Sequence, residues 1–446
     1  MLNRRMFMQT VSVAAMAERS GSLARAEDGC LASSPSPCAK KRWYRGNLHM
    51  HTLRSDGMAF AEEAAALYRR LGYDFIAFSD HNVTHDNPNR WVAVGERHLT
   101  ERNYARFREQ FDFPLDVKRE SGKELCRLKN FEELEYLLNE REKFLIISGM
   151  ELSGPAQNRH EVHVNMINTP VGHPWKSLEN ASANLAWTLE IRNRLMGERN
   201  PNTLTTLNHP LWRFYDIDPM DLVRETSIQF FEVANVEARP LFHAPDSFWT
   251  HDRFWDIVNA FRARQGSPLL YGLATDDTHS YDMFYGKPAF LGYVMVRSEE
   301  LSIPALMRSM HGGDFYASTG LTLKDVHWNA TTKTLSVEVA PEEGYEYTIQ
   351  FIGTKKDFEA EPLEEVEYQA QGEMPAWWKG GVLPKRKLKR YSDSIGQVLH
   401  EVHGNQASYT LQPDDLYVRA KIFTQKGVQK EWEHPTTPIA WTQPWR

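Results

Sequence analysis

The chain has 446 residues, a formal net charge of -7 and three cysteines, and 41% of its residues are hydrophobic. This length exceeds what one compact core usually supports, so we expect two domains. Because phosphate backbones bind to concentrated basic surface, the acidic balance gives no reason to expect nucleic acid as a partner. Three cysteines are too few for a disulfide scaffold. No apolar run approaches the roughly 20 residues that span a bilayer, so we expect no membrane span.

The first 26 residues have the pattern of an export signal. Residues 3–8 contain Arg4 and Arg5 and resemble a twin-arginine motif, a modest apolar region follows, and Ala24-Arg25-Ala26 offers a small-residue cleavage site. We therefore expect residues 1–26 to be a signal peptide and the protein to be periplasmic or secreted. A basic N-terminal tail without a signal function is the alternative.

The cysteines have no metal-ligand spacing. In an oxidising compartment Cys30 and Cys38 could form a disulfide, and Cys126 is expected to pack as a small apolar residue in a helical region. Any metal site must therefore be built from histidine and carboxylate side chains.

The first candidate strand carries two histidines on one side of the chain. Side chains alternate along a strand, so His49 and His51 point the same way and can bind one metal ion. Apolar residues at helical spacing follow over residues 60–71, and the apolar run at 73–78 predicts a buried strand that leads to His81. Strand, helix and strand within about thirty residues indicate a βαβ unit.

Later strand candidates also end in, or carry, side chains that bind metals. Residues 85–142 interrupt the alternation with a charged helical insertion, including a helix over 131–138, which we expect to be a cap or lid beside the site. The strand candidates that follow are 144–147 before Glu151, 162–167 around His163, 204–207 before His209, 228–233 around Glu232, and 269–274 before Asp277 and His279, with a helix over 253–263. Since a parallel barrel brings its strand ends to one face, we predict an α/β barrel; an open doubly wound sheet is the alternative.

The character of the chain changes at about residue 321. Alternating, β-rich runs at 334–339, 347–352 and 416–423 predict a small all-β C-terminal domain over residues 321–446. We interpret the basic cluster at 385–390 as a solvated loop balanced by the acidic residues at 361–367 rather than as a nucleic-acid groove. Trp377-Trp378 could stack on a ligand or cap a core.

The candidate metal ligands are imidazoles and carboxylates. They are His49, His51, Asp56, His81, Glu151, His163, His209, Asp277 and His279. This donor set suits Zn²⁺, Mn²⁺ or Fe²⁺ and is larger than one tetrahedral ion needs, so we predict two or three divalent ions. Glu151 follows a central strand and is the natural bridging carboxylate. Ten further histidines, His85 among them, show no partnered spacing and are interpreted as structural.

Six motifs occur in chain order at the predicted strand ends. They are Asn47-Leu48-His49-Met50-His51-Thr52, Ser79-Asp80-His81-Asn82, Gly149-Met150-Glu151, His163-Val164-Asn165, Asn208-His209-Pro210 and Thr275-Asp276-Asp277-Thr278-His279. Together they resemble the PHP (polymerase and histidinol phosphatase) superfamily of metal-dependent phosphoesterases over residues 43–320. The resemblance implies a distorted seven-stranded β/α barrel with two or three metals. The segments 315–320 and 440–444 resemble one branch of stand-alone PHP hydrolases with a C-terminal β-sandwich.

The resemblance also implies an assignment of ligands to ions. It places His49, His51, Glu151 and Asp277 on a first ion, Glu151, His163 and His209 on a second, and Asp56, His81 and His279 on a third. The chain departs from several relatives at this third site. Those relatives have a histidine one residue away from the position of Asp56, where this chain has Ser55-Asp56-Gly57. Asp80 points away from the ligands and is expected to support them, while Glu232 and Asp276 lie nearby without a clear ligand assignment.

The chemistry follows from such ions. A water held between two divalent cations is deprotonated near neutral pH, and the same cations neutralise charge on the attacked phosphoryl or carbonyl oxygen. We expect Glu151 to be essential and His81, His209 or His279 to protonate the leaving group. The candidates for binding substrate oxygens are Arg54, Arg159, His160, Arg213 and Tyr281.

Three functional hypotheses follow. The first is a metal-dependent phosphoesterase that acts on a small-molecule ester. The second keeps the site but cleaves carboxyl or carbamate esters, which an apolar pocket would favour, whereas arginines aimed at the metals would favour phosphate. The third is a non-catalytic protein that binds a ligand through its metals. The oligomeric state is not predicted.

Overall fold

The computed structural model describes residues 41–96, 98–197, 200–215, 217–237, 250–281, 290–369, 385–424 and 438–446. The predicted signal peptide, Cys30, Cys38 and Trp377-Trp378 lie outside the described residues. Residues Lys41–Arg446 form one compact unit. Within the described ranges, no helix is long and apolar enough to cross a membrane.

The first part of the chain mixes strands and helices. Its elements are β1 (Arg42–Asn47), α1 (Ala61–Arg70), β2 (Phe75–Ala77), β3 (Arg90–Ala93), α2 (Glu101–Gln110), β4 (Val117–Glu120), β5 (Lys123–Leu128), α3 (Phe131–Leu138), β6 (Leu145–Ile147), β7 (Gly149–Pro155) and β8 (Glu161–Ile167). The strands β1, β2 and β6 are parallel neighbours, and α1 connects the first two. The predicted βαβ unit is therefore confirmed.

The middle of the chain continues this alternation. Its elements are α4 (Ala181–Met196), β9 (Leu204–Leu207), α5 (Pro219–Arg224), β10 (Phe230–Asn235), α6 (His251–Arg264), β11 (Tyr271–Thr275), β12 (Tyr293–Ser298), α7 (Ile303–His311) and β13 (Phe315–Ser318). A five-stranded sheet has the order β11-β10-β9-β8-β7. Its strands β9, β10 and β11 are parallel, whereas β8 is antiparallel to both β7 and β9.

The predicted mixed α/β fold is confirmed, but the strands of the described residues do not close into a continuous barrel. Apart from the insertion, the strands of the α/β part divide between the five-stranded sheet and a second, larger sheet. Among the described residues, strand pairing between these two sheets is limited to the isolated parallel bridges Met50–Thr278 and His81–Glu151. The antiparallel β8 has a local cause, because residues 156–160 between β7 and β8 are too few for the crossover that a parallel pair needs.

The C-terminal part is built from strands. They are β14 (Leu323–Asn329), β15 (Thr334–Val339), β16 (Tyr347–Lys355), β17 (Glu364–Tyr368), β18 (Arg386–Arg390), β19 (Gln397–His403), β20 (Gln406–Thr410), β21 (Asp415–Thr424) and β22 (Ile439–Thr442). The second sheet has nine strands in the order β19-β16-β21-β22-β13-β12-β1-β2-β6. The predicted boundary at residue 321 therefore falls within a continuous sheet, and a separate C-terminal domain stays a prediction.

A buried apolar cluster joins the two large sheets. Its members include Tyr44, Phe75 and Ile147 from the nine-stranded sheet and Leu204, Phe230 and Leu273 from the five-stranded sheet. These side chains are at most 1% exposed. Their packing holds the carboxyl ends of β1, β2, β9, β10 and β11 at the same end of the molecule, and the candidate site lies there.

The insertion at 85–142 is not purely helical as predicted. It contains α2 and the predicted helix α3, but also an antiparallel sheet of β3, β5 and β4, in which β3 precedes α2 and the other two strands follow it. Every residue of β4 is exposed, so this strand leaves no apolar alternation in the sequence. Cys126 is buried as predicted, but it lies on β5 rather than on a helix.

The basic cluster at 385–390 is a strand rather than a solvated loop. It forms β18, which pairs antiparallel with the acidic strand β17. Lys385 lies 2.7 Å from Glu367, and Lys387 lies 2.8 Å from Glu365. The predicted balance of charge is thus confirmed, and opposite charges across neighbouring strands stabilise the pairing.

Candidate metal centre

The nine predicted ligands lie close together in the structure. Three groups of donor atoms could each hold an ion: His49, His51 and Asp277; His81, Glu151 and His163; and His51, Asp56, His81 and His279. Within each group the donor atoms lie within 4.8 Å of one another. The ninth residue, His209, places its Nε2 atom 3.6 Å from Glu151 and 3.7 Å from Asp277.

The first group has the spacing of ligands around one ion. The Nε2 atoms of His49 and His51 are 3.3 Å apart, and they lie 3.1 and 3.0 Å from Asp277 Oδ1. Donors at tetrahedral angles and bond lengths near 2.0–2.1 Å would be about 3.3 Å apart. Both histidines are fully buried, so the three donors fit a single divalent cation held away from bulk solvent.

Glu232 orients the first of these histidines. His49 Nδ1 donates to Glu232 Oε1 at 2.6 Å, which leaves the Nε2 lone pair free to bind an ion. The same carboxylate accepts hydrogen bonds from Thr275 Oγ1 at 2.6 Å, from the His209 backbone N–H at 2.7 Å and from Asn235 Nδ2 at 2.8 Å. Burial opposes ionisation, but His49 and His209 outweigh it and hold the pKa of Glu232 below its usual value.

Glu151 lies between the first and second groups. Its Oε1 atom is 3.3 Å from His49 Nε2 and 3.1 Å from His163 Nδ1, and its Oε2 atom is 2.8 Å from His81 Nδ1. Burial would raise the pKa of Glu151, but the surrounding imidazoles, led by His163, keep that pKa well below its ordinary range. Asn208 Nδ2 donates to Oε1 at 2.8 Å and fixes the carboxylate.

The third group surrounds Asp56. Asp56 Oδ2 lies 3.5 Å from His279 Nε2 and 3.7 Å from His81 Nε2, while Oδ1 lies 3.7 Å from His51 Nδ1. The Asp56 side chain is 39% exposed, so this group faces solvent more than the other two. A neutral imidazole offers one lone pair. His51 and His81 can therefore each serve one group at a time, and the count of two or three ions stays a prediction.

Asp80 supports the turn that carries Asp56. It is buried and accepts hydrogen bonds from the backbone N–H groups of Thr52 and Ser55 at 2.8 and 3.1 Å. The hydroxyl groups of the same two residues also donate to it, at 2.8 and 2.7 Å. This is the supporting role expected for Asp80. His85, interpreted from the sequence as structural, places Nε2 3.7 Å from the same carboxylate.

Two of the predicted ligands have strained backbones. His209 has a φ of 26° and Asp277 has a φ of 56°, in the left-handed region that side chains other than glycine rarely adopt. Such conformations cost of order 1–3 kcal/mol and are concentrated at functional sites. The surrounding contacts, including the hydrogen bond from the His209 backbone to Glu232, hold the strained conformation.

Two predicted substrate-binding residues instead support the scaffold. The Arg54 guanidinium donates to the backbone carbonyls of Asn87 and Lys129 at 2.9 and 2.7 Å and so anchors the insertion. Tyr281 donates to the His51 backbone carbonyl at 2.7 Å. Both side chains are engaged with carbonyl oxygens, because the burial of each requires a partner for its polar atoms.

The other three substrate candidates lie on two neighbouring loops. His160 is buried with Nδ1 3.3 Å from the Phe214 carbonyl, and Arg213 packs over the Phe214 ring. Arg159 is exposed and has a φ of 72°. A substrate role for these three residues stays a prediction.

An aromatic wall beside the second group was not predicted. The Trp212 ring lies 5.0 Å from the His209 ring and 5.3 Å from the His163 ring. Tyr215 lies 5.3 Å from His209 and 5.7 Å from His163. The only signal in the sequence is the aromatic-rich segment that follows Asn208-His209-Pro210.

Comparisons with known proteins give matches at the level of structure. No protein-family model matches the chain, and no curated protein does. The structure is similar to a two-domain protein from Bacteroides vulgatus ATCC 8482 that contains a predicted PHP-like metal-dependent phosphoesterase. That match has 14% sequence identity and a TM-score of 0.39, and it covers 83% of this chain and 96% of the other.

A second similar structure is an amidohydrolase from Chromobacterium violaceum with bound sulfate and no metal. The identity is 12%, the TM-score is 0.28, and the match covers 60% of this chain and 96% of the other. Scores of this size describe a partial likeness in shape, whereas the chemistry of this chain follows from its own side chains.

Proposed function

We propose that the protein is a PHP-type metal-dependent hydrolase that uses two or three divalent ions to cleave a small phosphoester. The observation that carries this proposal is Glu151, a buried carboxylate placed between two groups of imidazoles. One oxygen lies 3.3 Å from His49 Nε2 and 3.1 Å from His163 Nδ1. A carboxylate in this position suits a ligand shared by two ions, as the PHP resemblance implies.

The donor set fits divalent cations. Glu151 Oε2 is a buried atom that, although 2.8 Å from His81 Nδ1, accepts no hydrogen bond among the described residues, which is costly unless another group satisfies it. The first ion would be held by His49, His51, Glu151 and Asp277, the second by Glu151, His163 and His209, and a third by Asp56, His81 and His279. When bound, such ions supply a nucleophilic hydroxide near neutral pH and neutralise charge on the attacked oxygen.

The remaining steps belong to the chain's own residues. Hydrogen bonds from His49 to Glu232 and from Asn208 to Glu151 fix the orientations of His49 and Glu151, so little reorganisation is needed during the reaction. Of the three predicted proton donors, His81 and His279 have side chains that are 27% and 25% exposed, whereas that of His209 is 3% exposed. His81 and His279 are thus the better placed to reach a leaving group.

The aromatic wall favours a second candidate function, the hydrolysis of carboxyl or carbamate esters. Trp212 is 8% exposed and lies beside His163 and His209, so its ring can contact an aryl or alkyl group, whereas Tyr215 is fully buried. Arg54, the predicted substrate-binding arginine nearest to the first motif, donates instead to backbone carbonyls. The two functions share the metal site and differ in the substrate group that lies against this wall.

The deciding experiment is metal analysis combined with a substrate panel. Protein loaded with Zn²⁺, Mn²⁺ or Fe²⁺ would be assayed with p-nitrophenyl phosphate, bis-p-nitrophenyl phosphate, aryl esters and aryl carbamates. We expect Glu151→Gln to lose bound metal and activity together. Glu142→Gln, an exposed control with a 47% exposed side chain, should keep both.

Three results would change the proposal. Turnover of esters and carbamates but not phosphates would select the second function. Metal-dependent ligand binding without turnover of any substrate would select the non-catalytic alternative. Activity that survives the loss of metal in Glu151→Gln would refute the shared carboxylate.

We also propose that the protein is exported through its twin-arginine-like segment. The support is the Arg4-Arg5 pair followed by a modest apolar region. Cell fractionation should find wild-type protein outside the cytoplasm and an Arg4→Lys, Arg5→Lys variant inside it. Equal distribution of the two would contradict export by this route.

A further inference from the structure

The five-stranded sheet has a cavity of about 560 Å³ at one of its ends. This end is opposite to the one that carries the predicted metal ligands. The cavity is formed where β9 and β10 begin and where α4 and α7 end, and its wall includes Arg192, Thr205, Gln229, Arg308 and His311. We propose that this cavity binds a small anion that carries phosphate or carboxylate groups. Its volume is within the range of ordinary ligand pockets.

The charge of the cavity is opposite to that of the protein. The chain carries a net charge of -7, yet the described lining residues include two arginines and no aspartate or glutamate. Among the described residues, the Arg308 guanidinium has neither an ion-pair nor a hydrogen-bond partner. A guanidinium group binds carboxylate or phosphate through two parallel hydrogen bonds, so Arg308 can bind such an anion without first breaking another contact.

Neutral polar residues complete this wall. Thr205 lines the cavity, but its Oγ1 atom is closed off from solvent and so does not face the cavity space. His311 is held in place by Gln229 Oε1 at 2.9 Å and by the Thr203 carbonyl at 2.8 Å. Both imidazole nitrogens are thus engaged with the protein, so the two arginines supply the groups that would bind an anion.

This cavity is separate from the metal centre. Thr205 and His209 lie on the same chain segment, four residues apart, which corresponds to roughly 13 Å of extended chain. An anion bound here cannot contact the metal ligands directly. We therefore expect it to stabilise β9, β10 and α7 rather than to take part in hydrolysis.

The test measures anion binding by calorimetry and by thermal unfolding at constant ionic strength. The probes are inorganic phosphate, pyrophosphate and citrate, and the protein is treated with EDTA so that metal-bound anions do not contribute. We expect saturable binding that Arg308→Gln weakens at least tenfold. Arg119→Gln removes one arginine charge at an 84% exposed side chain and should leave binding unchanged. His49→Ala, at the metal centre, should also leave it unchanged.

The variants separate this proposal from a simpler role for Arg308. A cation in the last turn of a helix also offsets the helix dipole, and Arg308 lies in the last turn of α7. If that were its only role, Arg308→Gln would lower the melting temperature but leave anion affinity unchanged, and the proposal would fail. It would fail equally if wild type bound none of the three anions, or if His49→Ala abolished binding while Arg308→Gln did not.

Discussion

The hydrogen bond from His49 to Glu232 makes a prediction that can be worked out atom by atom. Glu232 accepts four hydrogen bonds, two at each carboxylate oxygen: His49 Nδ1 and Thr275 Oγ1 at Oε1, and the His209 N–H and Asn235 Nδ2 at Oε2. Glu232→Gln replaces one oxygen by an NH₂ group. In either orientation of the amide, the new NH₂ group faces two hydrogen-bond donors that the carboxylate oxygen used to accept from, so two hydrogen bonds are lost.

The expected cost has two parts. Hydrogen bonds to a charged acceptor contribute about 1.5–3 kcal/mol each, so the loss of two should lower the free energy of unfolding by about 3 kcal/mol or more. A residue that orients a metal-bound histidine typically changes metal affinity by about tenfold to a hundredfold. We expect Glu232→Gln to bind metal more weakly by an amount in that range.

The assay must separate these two effects. Metal affinity would be measured by competition with a chromophoric chelator at a temperature where the variant is folded, and stability by urea unfolding of EDTA-treated protein. Glu142→Gln is again the control, because its exposed ion pair with Arg42 should contribute less than about 1 kcal/mol. If Glu232→Gln bound metal as tightly as wild type, the inference that Glu232 orients His49 would be refuted.

Three further predictions concern stability and specificity. Burial raises the pKa of Glu63 to about 7 despite its pairing with Arg106, so the folded state holds more protons than the unfolded state between about pH 4.5 and 7. Stability should therefore fall by at most about 3 kcal/mol as pH rises through this window, and urea unfolding of Glu63→Gln should lack this fall. Asp80→Asn should lower the free energy of unfolding by about 3 kcal/mol, measured in the same way, because it loses hydrogen bonds that shape the turn before Asp56. Trp212→Ala should raise KM for aryl substrates about tenfold in steady-state kinetics, through the loss of an aromatic contact, and an unchanged KM would exclude this wall from the substrate site.

Local sequence patterns predicted many elements well. The strands at 204–207 and 334–339 have the predicted bounds, and α3 occupies 131–138 as expected. These segments carry their signal in the spacing of their own apolar residues, which is a local property. The predicted ligands also converge, because parallel strands bring their carboxyl ends to one edge wherever they pair.

Elements without such a signal were missed. Every residue of β4 is exposed, and β18 is a run of basic residues whose pairing depends on the acidic strand β17. Neither segment alternates apolar and polar residues. In each case a neighbouring strand determines the conformation, and the sequence of the segment alone does not.

The sequence also did not predict which distant residues each side chain contacts. Glu232 lies 183 residues from His49, and Tyr281 lies 230 residues from the carbonyl to which it donates. Arg54 is adjacent to the first motif, but its guanidinium contacts a carbonyl 75 residues away. Proximity to a motif in sequence therefore did not identify the atoms that each side chain contacts.

The sequence by itself determined the chemistry of the site, because the identity and order of the histidines and carboxylates follow from the chain alone. The tertiary structure decided how they are shared. It placed Glu151 between two groups, gave His49 its partner in Glu232, and set His51 and His81 between competing groups. Sharing depends on distances of a few ångströms between strands that are far apart in sequence, and only the packing of the two sheets sets those distances.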